Sequence, residues 1–291
     1  MKRTKADRGF RVANIVFIAL LCVLMGFPLY MTVSVSLQTM SEIYASSPKL
    51  VPTPPQWGNY PLAMSSGDWG RYFYNSMLVT VITTLISLVI NSMSGYVFAR
   101  IPFRGRKTLF ALVRLGMMIP PEVTLFSVFK LVRSIPFAGG NDWLGQGGRG
   151  LMNTYAGLIL PYIAGSFGVF LCRQFYLGFP RELDDAACID GCGRLKQFTR
   201  IYLPLSGPVL ASLGILKFTG TWNEYTWPLV LTSGDAMKTV QLALTVFRSE
   251  TEIQWNQLMA ATLISGLPIY LLFFFAQKHF VQGLLAGSVK G

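Results

Sequence analysis

Four charged residues lie inside or beside long apolar runs of this chain: Arg114, Glu122, Lys217 and Glu224. A charge at the centre of a bilayer costs about 2.5–3.5 kcal/mol on insertion scales. Such residues therefore face one another, the protein interior or a wet cavity. Two readings stand side by side: interhelical ion pairs that hold the fold, or the lining of a polar path for a solute. Arg114 and Lys217, with Lys130 nearby in sequence, would favour an anionic or hydroxyl-rich solute. A second group is compressed into FTGTWNEYTWPLVL, residues 218–231. Trp222, Tyr225 and Trp227 offer ring faces that stack on sugars, and Asn223 and Glu224 offer hydrogen bonds to hydroxyls. The same aromatic residues equally suit a belt at the membrane–water boundary. Pro228 is expected to interrupt a helix there, and broken helices line many transport paths. The third group is a polar island, DDAACIDGCGRLKQFTRIYLP, residues 184–204.

Several chemistries are not expected. The phosphate-cradling pattern G-x-x-x-x-G-K-[ST] is absent, so the chain is not expected to bind ATP. A Ser-His-Asp triad or a zinc-protease site needs more histidines than the single His279. Cys22, Cys172, Cys188 and Cys192 include no C-x-x-C pair. Neither a metal site nor a disulfide framework is expected from them. The reading is a chain with no catalytic residues, no metal and no cofactor of its own.

The elements that must position these groups are membrane helices. Only 13% of the 291 residues are charged and 52% are hydrophobic, whereas soluble domains are about 25% charged. The mean hydropathy is +0.46. The net charge of +12 and pI near 9.7 would suit nucleic acid, but the basic residues flank apolar runs, which favours a membrane. A bilayer core about 30 Å thick takes roughly 20 apolar residues of helix. Residues 12–41, 72–99, 151–172 and 253–277 contain no charge. Residues 108–129 carry Arg114 and Glu122, and 203–231 carry Lys217 and Glu224. The expected fold is therefore an all-α integral membrane protein with six transmembrane helices. The first run is too long for a signal-peptide core and lacks an A-x-A site, so it reads as a retained helix.

Lys and Arg counts set the orientation. Stretches 1–11, 100–107, 173–200 and 278–291 hold sixteen of them; 38–71, 130–149 and 233–252 hold seven. Both termini are expected in the cytoplasm. The organisation is then a cytoplasmic N-terminus (1–11), a six-helix domain (12–281) and a cytoplasmic tail (282–291). The polar elbow, 181–204, falls between helices four and five on the cytoplasmic side. SSPKLVPTPPQWGNYP (46–61) reads as an extended, structured outer connection, and GGNDWLGQGGRG (139–150) as a flexible one.

Within the elbow, Leu183 and Ala187 are four apart, with Ala186 beside them and Glu182, Asp184, Asp185 and Asp190 around them. That pattern predicts a short helix with a small, close-packing face. Gly191 suits a helix C′ position with positive φ. A second short helix follows, with Leu195, Phe198 and Ile201 at three-residue spacing and Arg194, Lys196 and Arg200 among them. Leu203-Pro204 is expected to end it and return the chain to the bilayer. Two short helices in an elbow suit either a docking surface or a solvated loop on the membrane surface.

The elbow resembles a known signature. Permease subunits of bacterial ABC importers carry E-A-A, three residues, G, nine residues and I-x-L-P. Here Asp185-Ala186-Ala187 is followed by Cys188-Ile189-Asp190, Gly191 and, nine residues on, Ile201-Tyr202-Leu203-Pro204. Asp185 stands where the family usually has Glu, one methylene longer. PTPPQWGNY, WNEYTWPL and the C-terminal KHFVQGLLAGSVKG are similar to carbohydrate-uptake permeases, the last to the smaller maltose-permease subunit. The resemblance spans essentially the whole chain. It implies a type I ABC importer fold in the bacterial cytoplasmic (inner) membrane, multi-pass. It implies that Asp185, Ala186, Ala187, Gly191, Ile201, Leu203 and Pro204 form a coupling elbow docked in a groove of an ATPase. It also implies that the tail residues Gly287, Ser288, Val289, Lys290 and Gly291 reach that ATPase.

The implied partners are a second homologous permease, two ATPase subunits that hold ATP and Mg, an extracytoplasmic solute-binding protein and membrane lipid, with no nucleic acid. The implied solute is a carbohydrate, an oligosaccharide first; the basic residues make an acidic one worth testing. Arg114, Glu122, Lys217, Trp222, Asn223, Glu224 and Tyr225 are the candidates for its path. The alternative is an ion-coupled secondary transporter or channel working without an ATPase. The coupling signature and the lack of a carboxylate relay in the four uncharged runs argue against it.

Overall fold

The computed structural model describes residues 5–47, 49–249 and 252–288, with side chains described between residues 10 and 276 except Val12. In chain order the main elements are α1 (Lys5–Ser36), α2 (Trp69–Arg100), α3 (Arg106–Gly116), α4 (Pro121–Arg133), α5 (Tyr155–Tyr162), α6 (Ser166–Leu177), α7 (Glu182–Ile189), α8 (Arg194–Leu205), α9 (Gly207–Trp222), α10 (Thr226–Leu231) and α11 (Trp255–Ser288). Among the described residues the only β pairing is an isolated bridge between Arg248 and Ile253.

Among the described residues, three helices are long and apolar enough to cross a bilayer: Ala13–Ser36 within α1, the whole of α2, and Trp255–Ala276 within α11. The other three expected spans are bent pairs. α3 and α4 meet at 107°, α5 and α6 at 44°, and α8 and α9 at 77°. Six spans result when each pair counts as one. Local chemistry explains the breaks. Pro120-Pro121 ends the run that reads as one helix over 108–129, because Pro120 is extended (φ −60°, ψ 137°) and a residue before proline avoids helical geometry. Pro161 falls in the 3-10 turn that closes α5. In α8 the helix does not stop at Leu203-Pro204 as expected. It widens to a π turn over Phe198–Tyr202, runs on to Leu205 and breaks at Ser206. A wide turn just ahead of Pro204 relieves the clash and missing donor that proline brings to an α-helix.

Residues 1–69 with 244–267 form one compact unit, and 70–243 with 268–291 another. In the first, α1 is exposed along its apolar length. The proline-rich connection after it is ordered by buried amides. Gln38 Nε2 donates to the Lys49 carbonyl at 2.8 Å, and Asn59 Nδ2 to the carbonyls of Ser36 and Gln38 at 2.9 and 3.0 Å. Thr39 and Glu42 form a capping box, and a hydrogen bond from Lys49 holds the Glu42 carboxyl below its ordinary value.

In the second unit two apolar clusters carry the packing. One centres on Val79, Leu158, Trp227 and Leu231, the other on Tyr96, Cys172, Tyr176 and Tyr202. The glycine-rich connection is more ordered than its composition suggests. Asn141 donates to the carbonyls of Arg133 and Ile135, Asp142 accepts from the amides of Leu144 and Gln146, and five glycines there supply positive φ. α2 and α6 approach closely at small residues, the usual device where lipid offers no hydrophobic drive. A Cβ on Gly95 would lie 2.5 Å from Cys172 Cβ, and one on Gly168 2.6 Å from Asn91 Cγ. Gly95→Val should therefore force the two helices apart and cost about 1–3 kcal/mol. A lowered thermal unfolding midpoint in detergent checks this, with Gly26→Ala on the open face of α1 as the unaffected control.

Candidate functional site

The stretch 222–227 is a helix break built around Glu224. α9 ends at Trp222 and α10 starts at Thr226. The break lies ahead of Pro228, which sits in the first turn of α10, where its missing N–H leaves no bond unmade. Glu224 Oε1 accepts the Trp227 backbone N–H at 3.0 Å and so caps α10. Tyr162 lines the same crevice as Glu224. Trp227 Nε1 donates to the Gly157 carbonyl at 3.0 Å, which ties α10 to α5. Trp222 is 1% exposed and stacks on Phe218. Asn223 is exposed and accepts from Gln241 at 3.1 Å. Tyr225 is partly exposed.

Lys217 belongs to the same neighbourhood. Its ammonium lies 5.4 Å from the Tyr162 ring centroid. Among the described residues it forms no ion pair; those present are Lys49–Glu42, Arg100–Asp184 and Lys238–Asp235. It borders a cavity of about 170 Å³ lined by Ser87, Asn91, Gly165, Phe167 and Leu213. Glu122, in the first turn of α4, is exposed. Arg114 keeps to another cluster: its guanidinium lies 5.8 Å from the Phe110 ring centroid, and Arg173 lies 3.9 Å from the same centroid. Thus the structure brings Lys217 and Glu224 to Tyr162 and leaves Arg114 in another cluster.

The opposite wall comes from α2, whose residues were read only as an uncharged span. Asn75, Ser76, Thr80, Thr83, Thr84, Ser87, Asn91 and Ser92 are all buried. Their three- and four-residue spacing puts them on one helix face. Ser76 and Thr80 meet Tyr162, Thr221, Glu224 and Thr239 around a crevice of about 10 Å³. Asn91 Nδ2 donates to Ser87 Oγ at 2.7 Å, while its Oδ1 accepts the Gly165 amide at 3.2 Å. The hydroxyls of Thr83, Thr84 and Thr239 have no partner among the described residues. The period of polar residues was legible in the sequence; their uncharged character hid it.

The elbow consists of α7, a turn at Gly191 and α8. Gly191 has φ +69°, and a Cβ there would meet nothing of this chain within 4 Å. The Cys192 amide donates to the Ala187 carbonyl at 2.8 Å and closes the turn. Asp185 and Ala186 are exposed, whereas Ala187 is buried by the chain itself. Ile189 is 86% and Leu195 68% exposed. Leu195 therefore does not share the buried face of Phe198, three residues on. Ile201 is half-buried, and Leu203 and Pro204 are exposed. Of the tail residues, Gly287 and Ser288 close α11, and Val289, Lys290 and Gly291 lie outside the described residues.

Residues 91–285 match the family model of binding-protein-dependent transport system inner membrane components. That is more than half of the chain. The protein belongs to this family. Among similar members, the arabinooligosaccharides transport system permease protein AraQ of Bacillus subtilis is 33% identical over 285 residues, 97% of this chain and 96% of its own. The sn-glycerol-3-phosphate transport system permease protein UgpE of Yersinia pestis is 29% identical over 286 residues, 96% and 97% of the two chains. Among solved structures, a chain of a bacterial ABC transporter involved in the import of the acidic polysaccharide alginate superposes with a TM-score of 0.78 at 18% identity, covering 96% of this chain and 99% of that one. At that identity the likeness speaks for the fold, which is that of an ABC transport permease.

For a binding-protein-dependent permease of this kind the helix break at Glu224 is the most constrained part of the polar cluster. Glu224→Ala should strand the Trp227 amide and cost about 1–3 kcal/mol, whereas Glu224→Gln keeps an acceptor and should cost far less. Thermal unfolding of the two purified variants checks the difference.

Proposed function

We propose that this chain is one of two permease subunits of an ATP-driven, binding-protein-dependent importer of a carbohydrate. The observation that carries the reading is the elbow. It presents Asp185, Ala186, Ile189, Gly191 and Leu195 to the outside at a turn that only a residue tolerant of positive φ adopts without strain. Exposed apolar side chains on a polar turn suit a protein groove, here that of an ATPase subunit. In this reading both termini are cytoplasmic, residues 287–291 reach the same ATPase, and ATP and Mg are held by the two ATPase partners. A second, homologous permease completes the path, and an extracytoplasmic binding protein delivers the solute. The elbow then links two bistable parts, and ATP and the loaded binding protein bias one equilibrium.

The solute in this reading is an oligosaccharide, and Lys217 makes one that carries acidic groups worth testing. Its hydroxyls suit the amide and hydroxyls of Asn91, Ser87 and Thr80. Its anionic group suits Lys217, whose ammonium forms no ion pair among the described residues and borders the cavity. The similar proteins named for arabinooligosaccharides, sn-glycerol-3-phosphate and alginate support a solute range from neutral sugar to anion.

Two measurements test the reading. Gly191→Val places a β-branched side chain in a left-handed conformation, a strain of about 1–2 kcal/mol, and projects it into the proposed interface. Membrane insertion should be intact while ATP hydrolysis loses its link to uptake; normal coupling in this variant would count against ATPase docking. Lys217→Met should lower uptake of a uronate oligosaccharide by roughly tenfold, about 1.4 kcal/mol, and that of a neutral one far less. Equal losses in competition assays would remove the charge argument.

A further inference from the structure

Arg100 closes α2 with its side chain only 5% exposed, and it binds three other segments. Its Nε and Nη2 donate to the Tyr176 carbonyl at 3.0 and 2.6 Å, and Nη2 also donates to the Phe179 carbonyl. The Tyr176 carbonyl lies in the last turn of α6, at the negative end of the helix dipole, where it also accepts the Phe179 amide at 3.3 Å, and Phe179 lies just beyond that helix. Nη1 meets Asp184 Oδ2, in the first turn of α7, at 3.1 Å. Tyr202, in the π turn of α8, donates to the other oxygen of Asp184 at 2.6 Å, with its ring centroid 5.4 Å from the guanidinium. One cation therefore joins α2, α6 and both arms of the elbow.

A second buried group ties the elbow arms together. Gln197 has no exposed surface. Its Nε2 donates to the Cys192 carbonyl at 2.9 Å and reaches Cys188 Sγ at 3.5 Å. Its Oε1 accepts from Tyr96 of α2 at 3.3 Å and from Arg194 at 3.2 Å. The elbow is thus a closed block seated on the end of α2.

α2 then leads straight to the polar cluster. Its 32 residues contain no proline and extend about 48 Å at 1.5 Å per residue. Beyond Arg100 the same helix presents Asn91 and Ser87 to the cavity beside Lys217, then Thr80 and Ser76 to the crevice beside Glu224. The covalent routes are interrupted: α8 and α9 meet at 77°, and α5 and α6 at 44°.

We propose that Arg100 is a positioning residue that makes the elbow and α2 one rigid body, so that displacement of the elbow is carried along α2 to the solute-facing cluster. This rests on the importer reading above. Without the clamp, α8 keeps its contacts to Tyr96 of α2, through Gln197, the Arg194 carbonyl and the rings of Phe198 and Tyr202, but α7 loses its charged tie to α2 and α6. Lysine does not replace the clamp, because its single ammonium lacks the planar fork that spans two carbonyls and a carboxylate.

The test uses the complete transporter, with second permease, ATPases and binding protein, in proteoliposomes. Sugar imported per ATP hydrolysed is measured for wild type, Arg100→Met, Arg100→Lys and Tyr202→Phe. The expected Arg100→Met complex assembles and hydrolyses ATP with an unchanged KM for ATP. Its sugar-to-ATP ratio falls by roughly tenfold, with partial recovery in Arg100→Lys and a smaller loss in Tyr202→Phe. A wild-type ratio in assembled Arg100→Met overturns the proposal. Should Arg100→Met not assemble, wild-type ratios in the two milder variants overturn it, and a reduced ratio in either supports it. Failure of all three to assemble assigns Arg100 a purely structural role and overturns it as well. Wild-type hydrolysis with no link to sugar removes the importer reading and the clamp with it; coupled wild type beside an equally coupled Arg100→Met removes the clamp alone.

Discussion

Hydrocarbon supplies no hydrogen bonds, so each polar group on these helices must be answered by the protein itself. That constraint organises the second unit. Glu224 satisfies the open amide of α10. Arg100 binds the Tyr176 and Phe179 carbonyls where the chain leaves α6, and the carboxylate of Asp184. Asn91 is held between Ser87 and the Gly165 amide. Glu224, Arg100 and Asn91 thus each answer backbone groups where a helix begins or ends.

The interruptions are what make a transport chain out of a helical bundle. Proline and glycine bend three of the six expected spans, and the bends bring side chains from α5, α9 and α10 around Tyr162. α2 stays straight and lines that cluster with hydroxyls and amides. Hydroxyls placed this way offer hydrogen bonds without the desolvation cost of many charges.

Much of the elbow was legible because its chemistry is local. The helix of α7, the positive φ at Gly191 and the return of the chain past Pro204 follow from neighbours within a few residues. The register of α8 was not, since a π turn depends on how Phe198 and Tyr202 pack against Tyr96. Nor was the role of Asp184, one residue ahead of the matched signature, because its partner Arg100 is 84 residues away.

The sequence by itself determined the membrane setting, the number of apolar runs, the family and the presence of an exposed polar elbow. Those properties depend on composition and short-range pattern, which a bilayer reads directly. Only the tertiary structure decided which charges meet. It brought Lys217 and Glu224 to Tyr162, placed Arg114 beside Phe110 instead, and showed that the uncharged span of α2 carries the polar wall. Pairing at long range is decided by how bent helices pack, and no local pattern encodes that.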